Sequence, residues 1–445
     1  MKHIVLFGAG KSATCLIDFL LKEMLINDWR LTVCDSNLAL AESKTGNTQK
    51  AKAVSIMVEN DIDRNSLIQS ADIVISLLPP QLHFIVAKDC VALNKNLLTA
   101  SYVDEHLQSL AKEIEERGLL FLCEMGLDPG IDHMSAMKMI QSIKKDEGNI
   151  TSFKSHCGGL IAPESDTNLW HYKITWNPRN VVLAGKDGAV YKKENNIIEI
   201  SSRRVFRNTT IVNIEGLPPL SWYPNRDSLS YIPVYGLESA ATFIRTTLRY
   251  PSFCRGWDKL VNIGLTALED YERIKSCKTL KEWYDLKVRR FVATHDWNKY
   301  LHYYVTDPYR SEFVKQLHFL GLETNEALPE NFTCSADILQ HVMEKKMVMK
   351  DDDKDMILML HEIEYTVNNQ SSKANSTLIV KGEDNVRTAM AKTVGLPLGI
   401  AVKFILQQKI KLTGLHIPTV SQIYEPVLDE LENHGIMFRE TFQTL

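Results

Sequence analysis

The sequence lacks a charge excess of either sign. Its 51 Lys and Arg stand against 55 Asp and Glu, a formal net charge of −4, so no basic surface asks for nucleic acid or an anionic membrane. Long apolar runs are missing as well. The first, Ile4–Phe7, stops at Gly8 and meets Lys11, too short for a secretory signal, and no stretch reads as the roughly 20 apolar residues of a membrane helix. Paired cysteines are also absent: Cys15, Cys34, Cys90, Cys123, Cys157, Cys254, Cys277 and Cys334 contain no C-x-x-C, and the nearest two, Cys15 and Cys34, are 19 apart. That spacing argues against a zinc knuckle or dithiol and reads as reduced core residues. The expectation is a cytoplasmic protein with no metal and no nucleic-acid or membrane partner. No internal repeat or low-complexity segment occurs, and the acidic run Asp351–Asp353 reads as a solvated loop.

What is present is an ordinary globular composition, 44% hydrophobic and 24% charged, over a length that suggests two or three domains. The first 125 residues alternate short apolar runs with amphipathic segments. Strands are predicted at 4–7, 31–34, 53–58, 73–77, 97–99 and 119–122, with helices over 13–22, 81–92 and 104–116. Strands apolar on both faces and separated by helices mark a parallel sheet covered on both sides. Beyond Gly130, β-type segments at 181–184, 197–200 and 210–214 are broken by Gly, Pro and Asn. Residues 255–345 read as helical, and 356–367 and 376–381 are β-type again, with 368–375 as a turn-rich connector. The expected fold class is α/β: an N-terminal Rossmann-type parallel sheet, a second α/β domain with a mixed sheet, and a helical insertion. The expected limits are 1–128 for the dinucleotide domain, with 385–445 as a candidate completing segment, then 129–254 plus 350–384, and 255–349 for the helices.

Gly8-Ala9-Gly10-Lys11-Ser12-Ala13 follows the first strand and opens the first helix as G-x-G-x-x-A. Gly8 would permit the tight turn, Gly10 a close backbone approach to a pyrophosphate, and Ala13 close helix–strand packing. The helix N-terminus adds free N–H groups and the positive end of its dipole. Gly10-Lys11-Ser12 also resembles the end of a phosphate loop, but that motif needs glycine at position 5, which is Val5. Asp35 ends the second strand, where a Rossmann sheet carries the acid that accepts from the adenosine ribose. Its charge would repel a 2′-phosphate, so NAD is favoured over NADP. The rival role for Asp35 is capping the next helix, in competition with Ser36 and Asn37.

Glu124–His133 follows the last strand of the parallel sheet, and ligands of such sheets bind outside the carboxyl ends of the strands. Thr99–Tyr102, Cys157–Leu160 and Tyr223–Ser228 are further polar, turn-rich segments. Arg245 and Arg249, four apart, are expected on one helical face, and with Arg226 they make a local group of three arginines.

Five blocks, GLDPGIDH (126–133), CGGL…AP (157–163), YPNRDS (223–228), TLRY (247–250) and AKTVGLP (391–397), resemble those of the glutamate-forming saccharopine dehydrogenases in order and spacing. The resemblance covers nearly the whole chain. It implies oxidation of saccharopine with NAD(P) and water to L-glutamate and 2-aminoadipate 6-semialdehyde, or the reverse reductive condensation, in lysine metabolism, by a homodimer. Position by position, it implies cofactor contacts at Gly8, Ala9, Gly10, Lys11, Ser12, Cys34, Asp35, Ser36, Met57, Val58, at Ile75 as a sheet-edge contact, and at Ala100, Ser101, Leu127, Asp128, Pro129 and Asn177. Substrate contacts fall on Ser101, Tyr102, Asp128, Arg226, Thr247, Leu248 and Arg249. Asp128, Tyr102 and Cys157 lie near the reacting centre. NADP-using fungal members carry Arg, Asp and Ser where this chain has Asp35, Met57 and Asn177, which agrees with NAD while leaving NADP open.

The chemistry suits these residue types. Saccharopine has three carboxylates, so a site needs fixed cations, and guanidinium groups match carboxylates best; Arg226 and Arg249 come first and Arg245 third. A secondary ammonium must lose a proton before hydride leaves its carbon, which calls for an acid/base pair. Asp128 and Tyr102 are the candidates, with Cys157 as a hydrogen-bonding or packing neighbour. His133, beginning a helix, is expected to be structural. Two other readings use the same scaffold. A carboxynorspermidine- or carboxyspermidine-type dehydrogenase would want acidic residues along a polyamine. A non-catalytic NAD(H) sensor would need only Gly8 to Asp35 and leaves the arginines without a role.

Overall fold

A computed structural model of the chain describes residues 1–289 and 309–445. They form two compact units, Met1–Ile150 with Met359–Leu445, and Thr151–Leu358. The part of the helical prediction over 290–308 lies outside the described residues.

The first unit is built on a parallel sheet of β1 (Lys2–Phe7), β2 (Trp29–Asp35), β3 (Ala51–Ser55), β4 (Ile73–Ser76), β5 (Asn96–Thr99) and β6 (Leu120–Leu122). The order is β6-β5-β4-β1-β2-β3, with Gly414–His416 added beyond β6 and every pairing parallel. Ile4, Val5, Leu6, Ile73, Val74 and Ile75 are wholly buried, as expected of strands covered on both faces. The order reverses between β1 and β4, which creates a crevice at their carboxyl ends. Two elements differ from prediction. The third strand is shifted towards the N-terminus, and the helix over 104–116 is two, Glu105–Ser109 and Ala111–Glu116.

One helix escapes the sequence reading. Ala389–Leu406 is long and apolar enough, by length and composition, to cross a membrane, with mean hydropathy 1.6, but 78% of it is buried within the protein. Gly395, Pro397 and Gly399 interrupt the apolar run and disguise it. The two glycines have a packing role against α1 (Thr14–Ile26): a Cβ on Gly395 would lie 2.7 Å from the Leu16 backbone nitrogen, and one on Gly399 2.6 Å from the Phe19 ring. Gly395→Val should therefore destabilise the fold by about 1–3 kcal/mol through overpacking. The check is the urea midpoint of purified protein; an unshifted midpoint would reject the close contact. The same unit contains the strand Asp355–Val367 from Met359 onward and the strand Gln370–Lys381, joined at Asn368 and Asn369 with φ +50 and +62. That is a tight hairpin turn, shorter than the predicted connector.

The second unit holds β7 (Asn149–Ile161) from Thr151 onward, β8 (Ala189–Lys193), β9 (Asn196–Ile200), β10 (Thr210–Val212), β11 (Leu220–Pro224), β12 (Arg226–Asp227) and β13 (Thr242–Arg249). Its central order is β10-β11-β13-β7, mixed, with β13 parallel to β7 and antiparallel to β11. The β-type segment 181–184 belongs instead to a short helix, Pro178–Val182: Pro178 takes the first turn, and Asn177 caps it by accepting from the Arg179 N–H at 2.9 Å. The described helices between 251 and 346 share one apolar core with Trp170, Tyr172, Phe206 and Tyr223. The acidic run is not wholly solvated either. Asp351 and Asp352 are exposed, but Asp353 is buried and pairs with the buried Lys173 ammonium at 2.6 Å.

Candidate functional site

Gly8 leaves β1 with φ +103, and a Cβ there would sit 2.6 Å from the Leu77 carbonyl oxygen, so glycine is required by the turn itself. Gly10 is different. Its φ is −60, and a Cβ would meet nothing within 4 Å; the protein leaves room there for another molecule. The Asp35 carboxylate accepts from the Ala9 N–H at 2.8 Å and the Asn37 N–H at 2.9 Å. Asn37 caps the following helix, accepting from the Leu40 N–H at 3.1 Å, so Asp35 is free of that task and keeps lone pairs for ribose hydroxyls. Lys44, which no motif marks, donates to the Gly10 carbonyl at 2.5 Å; burial pulls it down to about 8, against the opposing pull of Asp35 and Asp18. Ala9 and Ala13 are buried, while Gly10, Lys11, Ser36 and Met57 are exposed and Ser12 partly so. Burial lifts the Cys34 thiol to about 12. Val58 and Ile75 are buried too, and Ile75 lies in the central strand β4 rather than at a sheet edge. The residues fit a dinucleotide: a glycine turn at a strand–helix junction, an open approach at Gly10, and an acid closing β2.

The exits of β5 and β6 are stitched together by Glu124 N–H to Ser101 O at 3.0 Å and Met125 N–H to Thr99 O at 3.0 Å. The next loop closes on itself. Gly126 N–H reaches Pro129 O at 3.0 Å and Ile131 N–H reaches Gly126 O at 2.9 Å, while Gly130, at φ +146, has no room for a Cβ, which would lie 2.0 Å from Gly126 O. Leu127 and Pro129 are buried; Ala100, Ser101, Tyr102 and Asp128 are partly exposed. The Tyr102 hydroxyl donates to Asp128 Oδ1 at 3.5 Å, which brings together the two acid/base candidates.

Beneath this loop lie residues that sequence reasoning passed over. Glu124, buried and at φ +56, accepts from the Val103 N–H at 3.1 Å and pairs with His133 Nε2 at 2.8 Å. His133 is fully buried and thereby ties the helix Ile131–Lys145 to the strand exits. His83 links Ser76 and Ser101. Each of these contacts joins residues on different elements, so no local pattern announces it.

In the second unit Cys157 stands in register with Thr247, and Thr247 with Tyr223, so one row across β7, β13 and β11 carries all three on the same face. Arg245 and Arg249 are strand residues, not helical ones: the β-branched Thr242, Ile244, Thr246 and Thr247 are paired into the sheet. Even spacing still puts both arginines on the Thr247 face, but about 13 Å apart rather than one helical turn, with Leu248 on the other side. Arg249 is 5% exposed. Its Nη1 donates to the carbonyls of Leu248 at 2.8 Å and Gly159 at 3.3 Å, its Nε has no partner, and no carboxylate pairs with it among the described residues. Tyr172 and Phe253 present ring faces to the guanidinium at 5.5 and 5.7 Å. Burial raises the Tyr223 hydroxyl, with nearby Arg249 acting in the opposite sense. Arg245 lies over the Tyr231 ring at 4.3 Å. Arg226 is exposed at φ +50, and Cys157 is buried. Asn177 is exposed, its side-chain oxygen serving as the helix cap.

Residues 4–122 match the family model described as the saccharopine dehydrogenase NADP binding domain, and residues 126–436 the one described as the saccharopine dehydrogenase C-terminal domain. The chain is 32% identical over 454 residues to the saccharopine dehydrogenase (NADP(+), L-glutamate-forming) of Saccharomyces cerevisiae, covering 99% of each. It is 31% identical over 476 residues to the alpha-aminoadipic semialdehyde synthase of Arabidopsis thaliana, covering 98% of this chain and 44% of that protein. The chain thus spans about half the length of the semialdehyde synthases it matches. A solved apo structure of the saccharopine dehydrogenase (L-Glu forming) from Saccharomyces cerevisiae superposes with TM-score 0.89 at 30% identity, over 99% of this chain and 100% of that one.

Proposed function

The chain belongs to the saccharopine dehydrogenase family, and on that footing we propose that it oxidises saccharopine to L-glutamate and 2-aminoadipate 6-semialdehyde, or runs the reverse reductive condensation. It is an NAD(P)-binding oxidoreductase on a Rossmann scaffold; the donor proposed here is a CH–NH group. The observation that carries the reading is Arg249, a buried guanidinium without a carboxylate partner among the described residues. A buried charge is costly unless paired, and a polycarboxylate substrate supplies the missing anion. A polyamine would bring a second cation to the same place, which counts against the carboxyspermidine reading.

When bound, the nicotinamide supplies the hydride acceptor. Asp128, hydrogen-bonded to Tyr102, takes the proton from the secondary ammonium so that the neutral amine can release hydride. Arg249 and Arg226 hold substrate carboxylates, with Thr247 beside Arg249 as a further donor. Asp35 favours NAD(H): a 2′-phosphate would meet its carboxylate, whereas a ribose hydroxyl can donate to it. The yeast relative is named for NADP(+), so cofactor choice is where this chain is proposed to differ. The reading includes a cytoplasmic homodimer. Its eight cysteines are free, which suits a reducing compartment, and sedimentation as a monomer would reject the dimer.

The test is NADH absorbance after mixing protein, saccharopine and NAD, repeated with NADP and with a carboxylated polyamine. Reduction with saccharopine and NAD is expected; turnover of the polyamine alone would overturn the reading. Asp35→Ala should lower the NAD-over-NADP preference in kcat/KM about 10–100-fold, since it removes charge-assisted hydrogen bonds to the ribose and the repulsion of phosphate together. An unchanged ratio would mean that Asp35 does not face the ribose.

A further inference from the structure

His83 sits in the first turn of the helix Pro80–Ala92 and is 3% exposed. Its ring nitrogens face two serine hydroxyls. Nδ1 lies 2.8 Å from Ser76 Oγ, at the carboxyl end of β4, and Nε2 lies 2.6 Å from Ser101 Oγ, just past β5. Burial pushes the imidazole down to about 4, with Asp104 as the charged group opposing that shift. At neutral pH the ring is therefore uncharged, and a neutral imidazole has one N–H and one bare nitrogen.

Ser76 decides which is which. Its hydroxyl is fully buried, and the only acceptor that its proton reaches among the described residues is Nδ1 of His83. Buried hydroxyl protons are rarely left without an acceptor. Nδ1 therefore accepts, Nε2 carries the proton, and Nε2–H donates to Ser101 Oγ. The Ser101 hydroxyl hydrogen is left to point away from His83, on the partly exposed side of the residue. The Ser101 backbone is held as well, its N–H on Thr99 Oγ1 at 3.2 Å and its carbonyl on the Glu124 N–H at 3.0 Å.

We infer that His83 is a positioning residue that, oriented by Ser76, makes Ser101 a directed hydrogen-bond donor to a carboxylate of the amino-acid substrate. The inference rests on the dehydrogenase reading for the identity of the ligand, and on the burial and geometry of the ring for the tautomer. With the opposite tautomer Ser101 would donate inward to Nε2 and offer a ligand only lone pairs, which a carboxylate cannot use.

Two measurements separate these parts. The first is long-range 1H–15N correlation on the full-length protein labelled at histidine, with His83 assigned by comparison with His83→Asn. At pH 7 the Nε2-protonated neutral tautomer is expected; an Nδ1-protonated ring or an imidazolium would overturn the inference, whatever the enzyme does. The second is kinetic. Ser76→Ala removes the group that sets the tautomer and should raise KM for saccharopine about fivefold, the equivalent of one hydrogen bond, with KM for NAD unchanged, and Ser76→Thr should restore it. A switched tautomer with unaltered saccharopine KM would remove the role of Ser101 as donor. Absence of any saccharopine turnover by the unmodified enzyme would instead remove the dehydrogenase reading and leave the tautomer standing.

Discussion

Arg249→Met is expected to raise the Michaelis constant for saccharopine about 30-fold or more and to leave that for the dinucleotide within about twofold. Truncating one partner of a buried, hydrogen-bonded charge pair costs about 2–5 kcal/mol, and the guanidinium is proposed as such a partner for a substrate carboxylate. It is 5% exposed, two backbone carbonyls engage one of its nitrogens, and its Nε has no acceptor among the described residues. The thermal response should have the opposite sign. Methionine keeps the apolar stem beside Tyr172 and Phe253 and removes an unpaired buried charge, so the melting temperature of the free enzyme should hold or rise. Arg249→Lys should fall between, since an ammonium keeps the charge but loses the planar fork. Loss of activity together with a large fall in melting temperature, or equal rises in both Michaelis constants, would show that Arg249 serves the fold rather than the substrate.

How far such a residue is legible beforehand depends on whether its partners are local. Strands such as Lys2–Phe7 and Ile73–Ser76 were readable because each carries a short apolar run with a helix after it, and the G-x-G-x-x-A turn because its pieces are contiguous; Gly414–His416, three residues added to the same sheet from far along the chain, was not. Arg245 and Arg249 are also close in sequence, yet a spacing of four fits a helix face and a strand face alike, and only the β-branched residues between them favour the strand. The same ambiguity made 181–184 look extended, where Asn177 and Pro178 were the stronger signal for a helix start. Ala389–Leu406 was hidden by glycines whose role is visible only against Leu16 and Phe19. His83 and Glu124 carried no signal at all. Ser76 precedes His83 by 7 residues and Ser101 follows it by 18, and it is the parallel crossover that brings β4 and β5 side by side. A buried polar contact made by topology has no period in the sequence.

Asp128→Asn is expected to lower kcat by about 10²–10⁴, the usual contribution of a positioned general base, with a change in saccharopine KM smaller than tenfold. The substitution is conservative in shape, and the loop is also held by the Gly126–Pro129 and Ile131–Gly126 backbone bonds and by Gly130. Asparagine fills the same space and can still accept from the Tyr102 hydroxyl, which lies 3.5 Å from Oδ1, but it cannot take the proton that must leave the secondary ammonium. The acid limb that a carboxylate base imposes on the pH profile of kcat should disappear with it. Tyr102→Phe, which keeps the ring and removes only the hydroxyl, should cost less, since it perturbs the base without deleting it. If Asp128→Asn raises KM alone and spares kcat, the carboxylate is a counter-ion for the substrate ammonium, and the proton must leave by another route, through the Tyr102 hydroxyl or directly to water.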